Sequence, residues 1–267
     1  MAVAWNLSSV GEAGSRPGRS NAAAARSRGA NRIAEVGALW RRGNGGRLGE
    51  SGAGPGTVPA PAPSPATLTV LRERASDQSL QVVGQLPNAQ RPGWIGHPGE
   101  QVYAVRFAGE RGYVVTFRRT DPLYVLDLAN PADPRMAGEL QVPGFSDWLF
   151  PLDGGLLFGV GKDADAQGQM QGVKVALFDV RDSARPQLLD SRSFGLRGSS
   201  TALDYSAHGI GLQVVGSSTR LALPMLLVTD GGFALQQQVQ RFEVDSAART
   251  LTLKPALAQG DGWVDVG

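Results

Sequence analysis

The sequence contains no cysteine, so disulfides, Cys-ligated zinc, iron–sulfur clusters and thiol nucleophiles are all excluded. Only two histidines occur, His97 and His208, which excludes a histidine-rich metal site. No run of about 18 apolar residues is present, so no segment reads as a transmembrane helix. The patterns G-x-x-x-x-G-K-[ST], H-E-x-x-H and G-x-S-x-G are also absent. The start, MAVAWNLSSVGEAG, has neither a basic region nor an adequate apolar core, so no export signal is predicted there.

Strong net charge is lacking too, but the formal +2 conceals an asymmetry. Residues 1–65 carry eight arginines, no lysine and three acids (Glu12, Glu35, Glu50), a balance of +5 against −3 for the remainder. A basic tail on an acidic body is one pattern of contact with nucleic acid or an anionic surface. Here the arginines are scattered, with no interleaved aromatics and no helical stripe, so nucleic acid is the disfavoured partner. A Gly, Ala, Ser, Arg and Pro composition cannot bury enough surface to offset its ordering entropy, which predicts a disordered basic leader over 1–65. Within it, residues 52–65 (GAGPGTVPAPAPSP) read as a stiff linker, and Asn31–Arg42 as a short, marginal helix. The same composition also fits a start codon assigned too far upstream in GC-rich DNA.

From residue 66 to 267 short apolar runs alternate with turn clusters. Examples are QVYAVRF (101–107), GYVVTF (112–117), PLYVLDL (122–128) and VKVALFDV (173–180). Their length and their Val, Leu, Phe and Tyr content predict strands. LDLANPADP (126–134) and FDVRDSARP (178–186) align without gaps at an offset of 52. In both, Asp127 or Asp179 follows the strand, Asn130 or Asp182 closes a turn through its own side chain, and Pro134 or Pro186 opens the next strand. Looser copies are RFEVDSAART (241–250) and TVLRERASDQSLQVV (69–83). Each unit is preceded by a hairpin, at 101–117, 146–160 and 209–228. A hairpin plus two more strands per repeat is the pattern of a propeller blade. The expected fold is therefore all-β: a partial β-propeller of three to four four-stranded antiparallel blades. The alternative is a β-sandwich with chance similarity between two turns.

The stretches YVVTFRRTDPLYVLDL (113–128), GFSDWLFPL (144–152), VALFDVRDSARPQLLD (175–190) and RLALPM (220–225) resemble a family of bacterial and archaeal secreted proteins. That family has a C-terminal β-propeller domain distantly related to WD-type repeats. The resemblance covers about residues 67–260 and implies a propeller in an extracytoplasmic or secreted setting. It carries no catalytic residues over. Family members are longer and have more blades, so the sequence reads as part of a ring, with open strand edges available for oligomerisation.

The loop GKDADAQGQMQG (161–172) places Asp163, Asp165 and Gln167 at alternate positions before Gly168, the first half of a calcium loop. Its twelfth position is Lys174 and not a bidentate Glu, so an EF-hand is excluded and calcium remains only as an inter-strand ligand. Asp204, Ser206 and His208 crowd within five residues and cannot converge as a triad. His208 reads as a rim residue and His97 as a turn residue before proline. The aromatics Trp94, Phe145, Trp148, Phe150 and Tyr205 are expected to pack between blades. The leading functional reading is a non-catalytic binding scaffold, taking a protein or a small ligand on the propeller face. The rival is a hydrolase using Asp121, Asp147, Asp163 and Asp204 on that face.

Overall fold

The computed structural model describes residues 2–6, 66–77, 79–97, 100–117, 121–165, 168–229 and 234–258. The helix expected at Asn31–Arg42, the linker 52–65 and Gln167 lie outside these residues. Among the described residues there is no α-helix; the chain forms four antiparallel sheets.

The first sheet holds β1 (Ala2–Asn6), β2 (Thr67–Glu73) and β3 (Leu80–Leu86), in that order. The second runs β4 (Gln101–Ala108), β5 (Arg111–Phe117), β6 (Asp121–Asp127) and β7 (Arg135–Val142). The third runs β8 (Phe145–Leu152), β9 (Leu156–Ala164), β10 (Met170–Asp179) and β11 (Gln187–Phe194). The fourth has β12 (Ser200–Thr201), β13 (Gly211–Val215), β14 (Ser218–Thr229), β15 (Ala234–Asp245) and β16 (Thr250–Ala258). Its order is β12-β14-β15-β16, with β13 also on β14. Its first strand is thus split, by the 3-10 turn Ala202–Asp204, and the break falls opposite Leu223 and Pro224. Proline has no N–H to give to a ladder.

The sheets stack face to face through three apolar layers. Leu68, Val70 and Leu86 of the first meet Phe107, Val114, Tyr124 and Leu126 of the second. Tyr113, Val115, Leu123 and Val125 meet Leu149, Leu157, Ala176 and Phe178 of the third. Phe158, Val160, Val175 and Leu177 meet Leu221, Leu223, Met225 and Phe242 of the fourth. Residues of β6 alternate between two layers, because successive side chains leave a strand on opposite faces. Both faces are covered, so β6 and β10 read as continuous apolar runs instead of alternating ones. Each such side chain contributes roughly 1.5–3 kcal/mol of burial.

The repeated turn has the same bonds in neighbouring sheets. After β6, Asp127 Oδ1 accepts from Ala129 N at 3.0 Å and Asn130 Oδ1 from Ala132 N at 3.1 Å. After β10, Asp179 Oδ1 accepts from Arg181 N at 3.0 Å and Asp182 Oδ1 from Ala184 N at 3.1 Å. The two stretches therefore occupy equivalent places in adjacent blades of a partial propeller. The reading of 1–65 as a leader did not foresee β1, which pairs with β2 and covers an edge that would otherwise be open.

Candidate functional site

The chain passes from the last strand of one sheet to the first strand of the next through residues 87–100, 143–144 and 195–199. The first connector is the longest, and long connectors in compact domains often carry function. It is pinned at several points. Asn88 Oδ1 accepts from Gln90 N at 3.0 Å and Arg91 N at 2.9 Å, closing a tight turn. Arg91 then forks onto Asp133 of the second sheet, Nε at 2.9 Å and Nη2 at 2.7 Å. The hydrogen bonds between them, and then their opposite charges, hold the guanidinium above its ordinary pKa and the Asp133 carboxyl below its own. Ile95 bridges to Ala66 and is 2% exposed, inside the layer between the first two sheets. Its neighbour Trp94 is 52% exposed. Beside it, the half-exposed His97 directs Nε2 to 3.4 Å from Glu139 Oε1 and sets its ring edge-on to Tyr124. The described part of the connector, 87–97, thus presents an indole and an imidazole to solvent, with an acid at their margin.

Glu100 closes the connector from beneath. Its buried carboxylate takes three donors on Oε2: Thr116 Oγ1 at 2.6 Å, His97 N at 2.9 Å and Tyr124 OH at 3.3 Å. Burial, and then the charges of Glu100 and Glu139, push the Tyr124 phenol well above its ordinary pKa. The other seams at this end are closed in the same manner with opposite charge. Lys174 Nζ donates to Pro143 O, and Lys162 Nζ to Ser199 O and Asp204 Oδ2, both at 2.9 Å. Each seam thus has one charged group bound to connector backbone, which fastens the connector to the sheet beside it.

The candidate calcium residues are engaged locally. Asp163 accepts from Ala164 N at 3.0 Å and Ser193 Oγ at 2.7 Å. Asp165 accepts from Gln169 N at 2.8 Å and Gln171 Nε2 at 2.9 Å, within a hairpin that Gly168 turns at φ 78°. Among the described residues no group of three or more His, Asp or Glu is placed to hold a metal ion. Of the four carboxylates named for hydrolysis, Asp163 and Asp204 are taken up by different partners, Ser193 and Lys162. Asp147 lies on β8, and Asp121 begins β6. His208 N donates to Ser206 Oγ at 3.2 Å while Asp204 turns to Lys162, so the three residues form no triad.

Phe145 is buried against Tyr103, with ring centroids 4.8 Å apart. Trp148 and Phe150 pack into the layer between third and fourth sheets, and Leu149 into the opposite layer, as the alternation requires. Trp94 and Tyr205 depart from the expected packing between blades. Trp94 is on a connector and not a strand, and Tyr205 follows the 3-10 turn that interrupts the fourth sheet; it is 85% exposed. The sequence signal for the connector was PGWIGHPG (92–99), a turn-rich segment carrying two ring side chains.

The model of the beta propeller domain matches residues 56–259. The chain belongs to the beta propeller domain family. An uncharacterised protein of Methanocaldococcus jannaschii is 39% identical over 131 residues, covering 49% of this chain and 19% of that protein. An uncharacterised protein of Archaeoglobus fulgidus is 42% identical over 111 residues, covering 42% of this chain and 16% of that protein. The match thus spans under a fifth of the length of either relative.

Proposed function

We propose that this beta propeller chain is a non-catalytic recognition module that grips a protein or small ligand at the ledge formed by Trp94 and His97. The observation that carries this reading is the pairing of a buried Ile95 with an exposed Trp94 on a connector anchored at Asn88, Arg91 and Glu100. Exposed indoles are frequent binding hot spots, and a pre-ordered loop loses little entropy when a partner arrives. The hydrolase alternative has less support, because Asp163 and Asp204 are already bonded to Ser193 and Lys162. The setting we propose is the cell envelope or secreted space, from the resemblance to secreted propellers distantly related to WD-type repeats.

The test immobilises the full chain and screens a displayed random-peptide library and a glycan array, with Trp94→Ala and His97→Ala in parallel. Enrichment by the wild type that is lost in Trp94→Ala at unchanged Tm supports the ledge. Equal enrichment by both proteins overturns it. So does hydrolysis of a chromogenic ester, glycoside or phosphoester that disappears in Asp163→Asn or Asp204→Asn. Fractionation of the producing cells tests the setting, and recovery from the cytoplasm alone contradicts it.

A further inference from the structure

Glu139 of β7 stands directly opposite Tyr124 of β6, on the face turned toward the first sheet. Its side chain is 28% exposed, at the margin of the ledge formed by Trp94 and His97. Two groups meet it among the described residues, His97 Nε2 at 3.4 Å and Gln141 Nε2 at 3.3 Å, and both reach Oε1. Oε2 is left for a donor from outside. Taking the ledge as the recognition site, we propose that this donor is an arginine side chain of a peptide partner, its guanidinium stacked on the Trp94 indole and bonded to Glu139.

Charge selects a cation. Of the three acids around the connector, Asp133 is matched by the fork of Arg91. Glu100 and Glu139 have no lysine or arginine partner among the described residues. Their charge is felt at Tyr124, whose phenol is pushed up by burial and then by both carboxylates. Residues 66–267 as a whole carry a balance of −3. A negative field draws in basic partners and turns away acidic ones.

The ring selects arginine. Trp94 is 52% exposed, and His97 follows three residues on, a span of at most about 10 Å. An indole face attracts a cation, and a carboxylate oxygen accepts strongly from a charged N–H. A planar guanidinium does both at once, with its face on the ring and its edge on the acid. An ammonium is a compact, strongly hydrated charge and stacks less well. A free small cation would gain little here, because small ligands are held in concave sites that bury most of their surface. A peptide adds contacts on either side of its arginine.

The test begins with the full chain immobilised against a displayed random-peptide library. Peptides enriched by the wild type and lost with Trp94→Ala are expected to share an arginine. One such peptide is then synthesised with that arginine or with citrulline, which keeps the shape and removes the charge. Fluorescence polarisation with the unaltered protein should show citrulline weakening Kd by about tenfold or more. Glu139→Gln should weaken the arginine peptide to a similar degree at unchanged Tm and leave the citrulline peptide as it was. Equal affinity of Glu139→Gln and wild type for the arginine peptide overturns the pairing. Peptides that depend on Trp94 but share no arginine, or bind equally well as citrulline, overturn the proposal and leave the ledge as a site for another ligand. Enrichment indifferent to Trp94 overturns the ledge and the proposal together. The absence of any enriched peptide overturns the proposal, and a glycan retained only with Trp94 in place would then be what the ledge takes.

Discussion

Gly138 on β7 lies beneath the carbonyl of Ser183, in the turn after β10. A Cβ built on Gly138 would come within 2.3 Å of that oxygen. Gly84 on β3 bears the same relation to Pro131 of the next sheet, where a Cβ would be 2.2 Å from the carbonyl oxygen. In each case the seven-residue turn of one blade, 128–134 or 180–186, folds over the last strand of the blade before it. The equivalent position on β11 is Asp190, which pairs with Leu177 as Gly138 pairs with Val125. The turn that follows in the fourth sheet, 246–249, is shorter, and Asp190 is free to bind Arg192 at 2.8 Å. A glycine in the last strand is therefore the imprint of a long turn in the next blade.

Gly84→Ala and Gly138→Ala are expected to destabilise the chain, since the obstacle is backbone and cannot step aside. Overpacking of this kind costs about 1–3 kcal/mol, or roughly 2–12 °C in Tm for a domain of this size. Gly93→Ala, with nothing within 4 Å of its new Cβ, is the control. Equal melting of all three variants would show that the turns do not press on these strands.

The blades were legible in the sequence because their determinants are local. An Asx residue bonds two residues onward, and a run such as VKVALFDV declares a strand wherever it folds. The connector was not legible in this way. Glu100 finds Thr116 and Tyr124 across 16 and 24 residues, and Lys162 finds Asp204 across 42. Nothing in PGWIGHPG says that Ile95 turns inward and Trp94 outward, since that depends on Ala66, far away in sequence just before β2. The pairing of Ala2–Asn6 with β2 is a still longer-range choice. The glycine imprint was readable in principle, but its meaning needs the neighbouring sheet.

Arg111 joins the second and third sheets at the hairpin end. Nη1 donates to Val180 O, and Nη2 to Arg181 O at 3.0 Å. Arg111→Ala is expected to lower the urea midpoint by an amount equivalent to about 1.5–3 kcal/mol, the range for hydrogen bonds to a charged group. Arg111→Lys should recover only part, because an ammonium lacks the planar fork that reaches two carbonyls at once. Full recovery by lysine would show that charge alone accounts for the effect.

The Asx turns make stability depend on acid. Asp127 is held below the ordinary carboxylate pKa, first by the Ala129 N–H and then by Arg135. Asp182 is held down first by Arg185 and then by the Ala184 N–H. A carboxyl lowered on folding contributes its full stabilisation above the unfolded pKa of about 4 and loses it as pH falls through the folded value. Thermal stability should therefore be level in this respect from neutrality down to about pH 5 and fall below about pH 4. The double variant Asp127→Asn, Asp182→Asn should show a shallower fall by scanning calorimetry. A slope identical to that of the wild type would remove these two residues from the account.

Tyr124 should be silent in an alkaline titration. Burial and the nearby charges of Glu100 and Glu139 both disfavour its phenolate. The ultraviolet rise below about pH 11 is expected to be the same in Tyr124→Phe as in the wild type, since an ordinary phenol titrates near pH 10. A lost step in that range would mean that the Glu100 pocket is open to water.

The seam at Glu100 permits a ranking of three substitutions, because its bonds differ in length and number. Thr116 Oγ1 lies 2.6 Å from Oε2, and Tyr124 OH lies 3.3 Å away. Thr116→Val deletes the shorter bond at nearly constant volume and should cost toward the upper part of the roughly 1.5–3 kcal/mol range for charged partners. Tyr124→Phe deletes the longer bond and should cost less, since its ring stays buried in the first layer. Glu100→Ala strips the acceptor from Thr116, Tyr124 and the His97 N–H at once, and leaves two buried hydroxyls to find water. It should be the most damaging of the three. It should also free the connector, so that hydrogen exchange quickens at residues 94–97 before it does in β5 or β6. If Tyr124→Phe proves as costly as Glu100→Ala, the ring and not the carboxylate is the fastening, and the connector is held by packing alone.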